Sequence, residues 1–430
     1  MHSATLKKQI LCSLLGIGSL PAMAQDMKYI KQTMTTLSAP TMGGRGYVGT
    51  GRDRAAGFIV KQFADIGLSS LYPDDRTFQF YYFPVNTFPN DPLLKWGKKE
   101  LMPAVDYLVD AGSASFYSRG KEKMERVDLY KIKTEAEWDK TKAAFNSLDI
   151  YQLKGADTLC RRLGIRMHDL VDRLPRACYI IPQSGKLTWT VATDTLNATV
   201  LYVADTAIPN GRKVTVGVQN KFLPKVQNKN VMAYIPGTEV KDSFIVFTAH
   251  YDHLGKLGRK AIFFGANDNA TGTAFILGLA KYFKANPQRY SIAFIAFSGE
   301  EAGLLGSKYY VQNPAFPLDK IKMLVNIDLM GDATDGITVV NAVKEQRAYD
   351  MLTQINQKQN YLPKVASRDN APNSDHYPFT QAGVPAIFIY ANGGPGYYHD
   401  IWDRAKEISF RRIEKVGQLV IDFTKAQCAP

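Results

Sequence analysis

Histidine and cysteine are scarce in this chain, with 6 and 4 among 430 residues. No two cysteines stand in a CxxC spacing, which argues against a cysteine-based metal site. No dense Lys/Arg run interleaves with aromatics, so nucleic-acid binding is not expected and the excess positive charge reads as solvated surface. Past the first two dozen residues, no apolar run is long enough to cross a bilayer, so no membrane insertion is expected. Internal repeats and low-complexity tracts are also missing. What remains is the composition of an ordinary folded protein, 45% hydrophobic and 22% charged, in a chain long enough for a large core and two domains.

The first 24 residues read as a secretory signal. Lys7 and Lys8 form its basic start, Ile10 to Leu20 its short apolar run, and Ala22-Met23-Ala24 a small-x-small cleavage site. Cleavage there leaves Gln25 as the new N-terminus and implies an exported protein, periplasmic or extracellular. Without Lys7 and Lys8 the 53 basic residues fall to 51 against 40 acidic ones, a net charge of +11. Export would permit a Cys160–Cys178 disulfide and leave Cys428 unpaired.

After residue 225 the pattern becomes regular. Strand-like runs at Asn230–Ile235, Ser243–Ala249, Ser291–Phe297, Met323–Met330, Ile337–Val343 and Ala386–Tyr390 alternate with helical segments at Gly272–Lys284, Ala302–Gln312, Glu345–Gln357 and Phe410–Phe423. This alternation predicts an α/β fold with a mixed, largely parallel central sheet flanked by helices. Residues 25–89 read as the N-terminal part of the same domain, with helices over 27–40 and 54–66 and a strand, Phe78–Phe83, stopped by Pro84. The stretch 90–225 is different in character, with short strand-like pieces between Lys/Arg-rich segments. It reads as a smaller domain inserted into the catalytic one, which resumes over 226–430.

The scarce histidines and a set of carboxylates fall at strand ends and loops of the regular part, where parallel sheets place their sites. His250 ends an apolar strand, and Asp252 two residues later can fix its tautomer. Asp268 opens a helix, where the dipole favours a carboxylate, and its two oxygens can bridge two cations. Glu300 and Glu301 follow a strand as neighbours pointing different ways, so one can bind a metal while the other carries a proton. Asp328 lies in the apolar run Met323–Met330, a costly place for a carboxylate unless it is paired or metal-bound. His399 follows a glycine-rich loop, with Asp403 near enough to support it. His376, beside Asp375, competes with His399 for the last ligand position on spacing alone, while His253 fits a supporting or surface role. Two histidines, three liganding carboxylates and a spare one are what a two-metal hydrolase needs.

The segments HYDHLG, GANDNATG, SGEEAGLLGS, NIDLMGD, NSDHYPF and YYHD, in this order from His250 to Asp400, resemble the zinc metallopeptidase family of bacterial leucyl aminopeptidases and glutamate carboxypeptidase, peptidase family M28. The resemblance implies two zinc ions, with His250 and Asp328 on one, Glu301 and His399 on the other, and Asp268 shared. It implies Glu300 as general acid/base, Asp252 as the partner of His250, and a cis peptide after Asp268. It selects His399 over His376 as ligand. Asn267 stands where many members have a second Asp, and Asp400-Ile-Trp-Asp-Arg404 replaces the usual residues after the last ligand. Many members carry a protease-associated domain at the place of 90–225. The function implied is exopeptidase action on peptides, with aminopeptidase favoured over carboxypeptidase, dipeptidase or glutaminyl cyclase, and a non-catalytic binding protein least supported. Tyr390, Tyr397, Tyr398 and Trp402 are candidates for shaping the substrate pocket. No feature of the sequence specifies the oligomeric state.

Overall fold

The computed structural model describes residues 25–430; the signal expected at 1–24 lies outside them. Its main element is an eight-stranded mixed sheet in the order Phe78–Thr87, Lys221–Ile235, Tyr290–Phe297, Val240–His250, Ile321–Asp328, Ala386–Asn392, Gly336–Val340, Val365–Arg368. The four strands from Tyr290–Phe297 to Ala386–Asn392 run parallel. Their central residues are largely apolar because both faces are covered there. On Val240–His250, Ile245, Phe247 and Ala249 enter the core on one face, and Phe244 and Val246 enter the core on the other. The first face packs against Gly272–Ala285, Ile413–Gln427, Met27–Leu37 and Gly51–Ile66, which contribute apolar side chains to that core. Among the described residues no helix is long and apolar enough to cross a membrane.

Several boundaries differ from the sequence reading for local reasons. The strand starting at Phe78 does not stop at Pro84 but runs to Thr87, with a register shift between Phe83 and Val85. It is the edge strand, so a proline there costs no ladder hydrogen bond. The strand expected over Met323–Met330 ends at Asp328, because Leu329 takes a left-handed conformation (φ 53°) and turns the chain. Asp328 is therefore delivered to the sheet edge rather than buried mid-strand. The helix expected from Ala302 begins at Leu305, leaving Glu300 and Glu301 on a tight turn.

Residues between Leu93 and Val218 build two further sheets. One has five strands in the order Tyr107–Val109, Thr199–Ala204, Cys178–Gln183, Ile150–Lys154, Glu125–Asp128; the other is centred on Lys213–Val218 and Leu93–Trp96. The core between these sheets is completed by Leu254, Leu257, Phe263 and Ile401 from the later part of the chain. Cys160, Cys178 and Cys428 are all free and buried. The bridge considered between Cys160 and Cys178 does not form, since Cys160 and Cys178 belong to different core clusters.

Candidate metal centre

The residues singled out in the sequence converge at the carboxyl edge of the parallel strands. His250 is the last residue of its strand, Asp328 the last of the next one, and Glu300 and Glu301 lie three and four residues past Phe297. Asp268 sits on the loop before Gly272–Ala285, and its peptide bond to Asn269 is cis. His250 Nε2 lies 3.4 Å from Asp268 Oδ1 and 3.3 Å from Asp328 Oδ2. His399 Nε2 lies 3.2 Å from Asp268 Oδ2 and 3.1 Å from Glu301 Oε2. The two oxygens of Asp268 thus face two different imidazoles.

The ring nitrogens on the far side are taken by main-chain carbonyls. His250 Nδ1 lies 3.2 Å from the Asp252 carbonyl oxygen, and His399 Nδ1 lies 3.0 Å from that of Trp189. A carbonyl can only accept, so the proton of each neutral ring belongs on Nδ1 and each Nε2 keeps its lone pair toward the carboxylates. The Asp252 carboxylate, expected on His250 Nδ1, is 3.8 Å away. It instead accepts from the Glu300 backbone N–H and the Tyr47 hydroxyl, each at 3.3 Å.

Distances separate liganding geometry from support. Charge-assisted N–H···O bonds run at roughly 2.7–2.9 Å, whereas the edge of a tetrahedron of nitrogen and oxygen ligands around zinc, at about 2.0–2.1 Å each, is about 3.3 Å. The four imidazole–carboxylate separations match the second figure. His253 does not: its Nδ1 is 2.6 Å from Glu301 Oε1, an ordinary strong hydrogen bond, and its ring is wholly buried. It therefore holds Glu301 from behind and is not a surface residue. His376 is buried against Phe388, outside the cluster, and neither of its ring nitrogens has a partner among the described residues.

Electrostatics point the same way. Burial pulls the His399 imidazolium down, but Glu301 and Asp268 overcome this and push its pKa up to about 11. So much negative charge demands a positive one beside each Nε2, which a proton or a metal cation can supply. Burial, with Glu301, Asp375 and Asp328 nearby, holds Glu300 well above the ordinary carboxylate range against the pull of His250. His250, Asp268 and Asp328 bring ligand atoms within 4.8 Å of one another, as do His253, Asp268 and Glu301, a spacing that suits a metal ion; His399 Nε2 adds a further nitrogen 3.1–3.2 Å from Glu301 and Asp268.

Three supports were not legible as such in the sequence. Asp403 does not reach His399; its two oxygens accept from the backbone N–H groups of Asn267 and Asp268, at 2.7 and 2.9 Å, and so fix the Asp268 loop. Arg45 is fully buried, and its guanidinium donates to the carbonyls of Leu37, Tyr251, Phe264, Gly265 and Asp268 at 2.7–3.1 Å. The glycines flanking it, Gly44 and Gly46, leave no room for a Cβ against the backbone of Gly255, so the Gly-Arg-Gly run is the available signal. The third, Trp189, lies in the 90–225 stretch. Its N–H reaches the His399 carbonyl at 2.9 Å while its own carbonyl receives the His399 ring.

A cavity of about 220 Å³ opens over the cluster and is lined also by Leu329, Arg368, Asn373, Phe388, Tyr390 and Tyr398. Of the aromatic candidates, Tyr390 and Tyr398 are there, and Tyr398 stacks on His399 at 3.9 Å. Tyr397 faces a different cavity, and Trp402 does not line this one.

A parallel sheet with paired imidazole–carboxylate clusters at its carboxyl edge defines a metal-centre protein of the α/β class. Residues 230–424 match the model of Peptidase family M28. Aminopeptidase YwaD of Bacillus subtilis (strain 168) is 31% identical over 204 residues, covering 45% of this chain and 43% of that protein. A probable leucine aminopeptidase of Arthroderma otae is 27% identical over 218 residues, covering 47% and 58%. The chain thus spans about half the length of these relatives. Among solved structures, an aminopeptidase from Aneurinibacillus sp. strain AM-1 superposes with a TM-score of 0.67 at 21% identity over 95% of both chains. At that identity the likeness is one of fold.

Proposed function

We propose that this chain is an exported di-zinc exopeptidase that removes N-terminal residues from peptides. One observation carries the reading: the two oxygens of Asp268 each face a different imidazole, at 3.4 and 3.2 Å, so one carboxylate would serve two cations. His250 and Asp328 would hold one zinc, Glu301 and His399 the other, with Asp268 shared. Bound there, zinc would polarise the scissile carbonyl and lower the pKa of water. Glu300, not needed as a ligand, accepts the proton of the attacking water and returns it to the leaving amine. Its backbone N–H bond to Asp252 aims the turn, and burial raises its proton affinity for this exchange. Asp252 and the Trp189 carbonyl keep the two imidazoles in the tautomer that leaves Nε2 free. Residues 90–225 act in this scheme as an inserted domain that also braces the centre. The names of the similar proteins, aminopeptidases among them, support the choice of substrate end.

The test is incubation of Gln25–Pro430 with peptides of mixed N-termini, including N-terminal Gln, with and without chelator, followed by mass spectrometry. Chelator-sensitive loss of single N-terminal residues is the expected result. C-terminal trimming, or cyclised Gln without cleavage, would overturn it.

The Trp189 contact gives a second expectation. Trp189→Pro removes the N–H that grips the His399 carbonyl and displaces the carbonyl that orients its ring, whereas Trp189→Phe leaves both in place. Zinc affinity at the His399 position should fall by roughly 10–100-fold in the proline variant, as for other orienting partners of metal-bound histidines, and remain near parental in the phenylalanine variant. Competition against a chromophoric chelator measures it, and equal affinity in all three proteins would remove Trp189 from the centre.

A further inference from the structure

A second, larger cleft lies in the 90–225 stretch. Four parallel strands, Glu125–Asp128, Ile150–Lys154, Cys178–Gln183 and Thr199–Ala204, end on one edge of their sheet, and a cavity of about 600 Å³ opens there. That volume suits a small-molecule site, and the carboxyl edge of a parallel sheet is where such sheets take ligands.

The chemistry of its wall is specific. Arg126, Lys154 and Arg161 line it; none of the three is ion-paired among the described residues, although Arg126 donates one N–H to the Gly211 carbonyl at 3.0 Å and Arg161 one to the Thr158 hydroxyl at 3.2 Å. Gln152, the register partner of Arg126, also lines the cavity. It is only 6% exposed, and its amide makes no side-chain hydrogen bond among the described residues. The amide lines the cleft, so a ligand bound there can take its hydrogen bond. Gly155, in a left-handed conformation (φ 86°), starts the helix Ala156–Leu163 at the cavity wall, adding the positive end of its dipole. Asp157 and Asp205 line the same cavity, so the wall is positive overall but offers two acceptors.

We propose that this cleft binds a small molecule through an oxyanion, a carboxylate or a phosphate. Arg126, Lys154 and the start of the Ala156–Leu163 helix receive the anion, Gln152 donates its amide N–H, and Asp157 and Asp205 accept from donors elsewhere on the ligand. The site is independent of the metal ligands and of peptide hydrolysis.

Isothermal titration of Gln25–Pro430 tests it, with inorganic phosphate, a dipeptide with a free carboxylate, and the same dipeptide amidated as probes. The metal centre is a possible second binder, so each titration is repeated on Arg126→Met/Lys154→Met, which leaves that centre untouched. We expect saturable binding of phosphate, or of the free but not the amidated dipeptide, weakened at least about tenfold in the double variant, equivalent to about 1.4 kcal/mol. Gln152→Leu, which removes the amide at similar volume without placing a charge in the strand, should weaken it similarly. If no probe saturates, or if the parental protein and variants bind alike, the cleft is not an oxyanion site.

Discussion

Glu300→Gln is expected to lower kcat for peptide hydrolysis by roughly 10²–10⁴-fold, the usual contribution of a positioned general acid/base, while leaving zinc content at the parental stoichiometry. The separation follows from position. Glu300 is buried beside the cluster and anchored through its backbone N–H to Asp252, but the imidazole–carboxylate contacts at 3.1–3.4 Å run through Asp268, Asp328 and Glu301. Gln keeps the shape and one oxygen but cannot hold and release a proton. KM should change little, since the amide leaves the cavity's dimensions intact. Elemental analysis alongside steady-state kinetics decides the matter. A kcat within tenfold of the parent would place the proton carrier elsewhere, and a loss of zinc equal to the loss of rate would make Glu300 a ligand.

Arg45→Met should be the most disruptive single change outside the ligands. The guanidinium draws together five carbonyls from three chain segments: Leu37, Tyr251, and the run Phe264 to Asp268. Removing it leaves buried acceptors unpaired at about 1–3 kcal/mol each before relaxation, and a net loss of roughly 3–5 kcal/mol is expected by analogy with other broken buried charge networks. Because Tyr251 follows His250 and Asp268 belongs to the gripped run, zinc affinity should fall with stability. Arg45→Lys should not rescue it, since a single ammonium cannot replace a planar fork that serves carbonyls on several sides. Thermal melting with and without excess zinc reads both effects. An Arg45→Met protein melting within a degree or two of the parent would show that the carbonyls find other partners.

Much of this arrangement was legible because the informative residues stand at transitions. His250 ends an apolar strand and Asp328 interrupts one, and a parallel sheet sends both to the same edge. The helices were legible from their apolar spacing, and the four parallel strands from their unbroken apolar runs. Other features depend on conformation rather than side-chain type. Leu329 turns left-handed and ends its strand early, and Pro84 sits harmlessly at an edge. The Trp189–His399 contact uses only main-chain atoms on one side, so no residue pattern announces it. Asp403 lies close enough to His399 in sequence to suggest a partnership, yet it serves the Asp268 loop, because the chain turns between the two residues. His253 was ambiguous because one imidazole can ligate, support or sit on the surface, and only a 2.6 Å separation from Glu301 decides among them.

The two-way grip between Trp189 and His399 also bears on how such a protein can change over time. A segment attached only by its ends could be exchanged for an unrelated one, or lost, with little consequence for the rest. Here the segment holds an imidazole of the centre by a main-chain donor and acceptor, and Lys186 reaches Asp400 at 2.5 Å beside it. Any replacement must present a main-chain N–H and carbonyl at that place, although its sequence is free to drift. Conservation of backbone path with divergence of side chains is therefore the pattern to expect across the 186–189 stretch in relatives that keep the centre working.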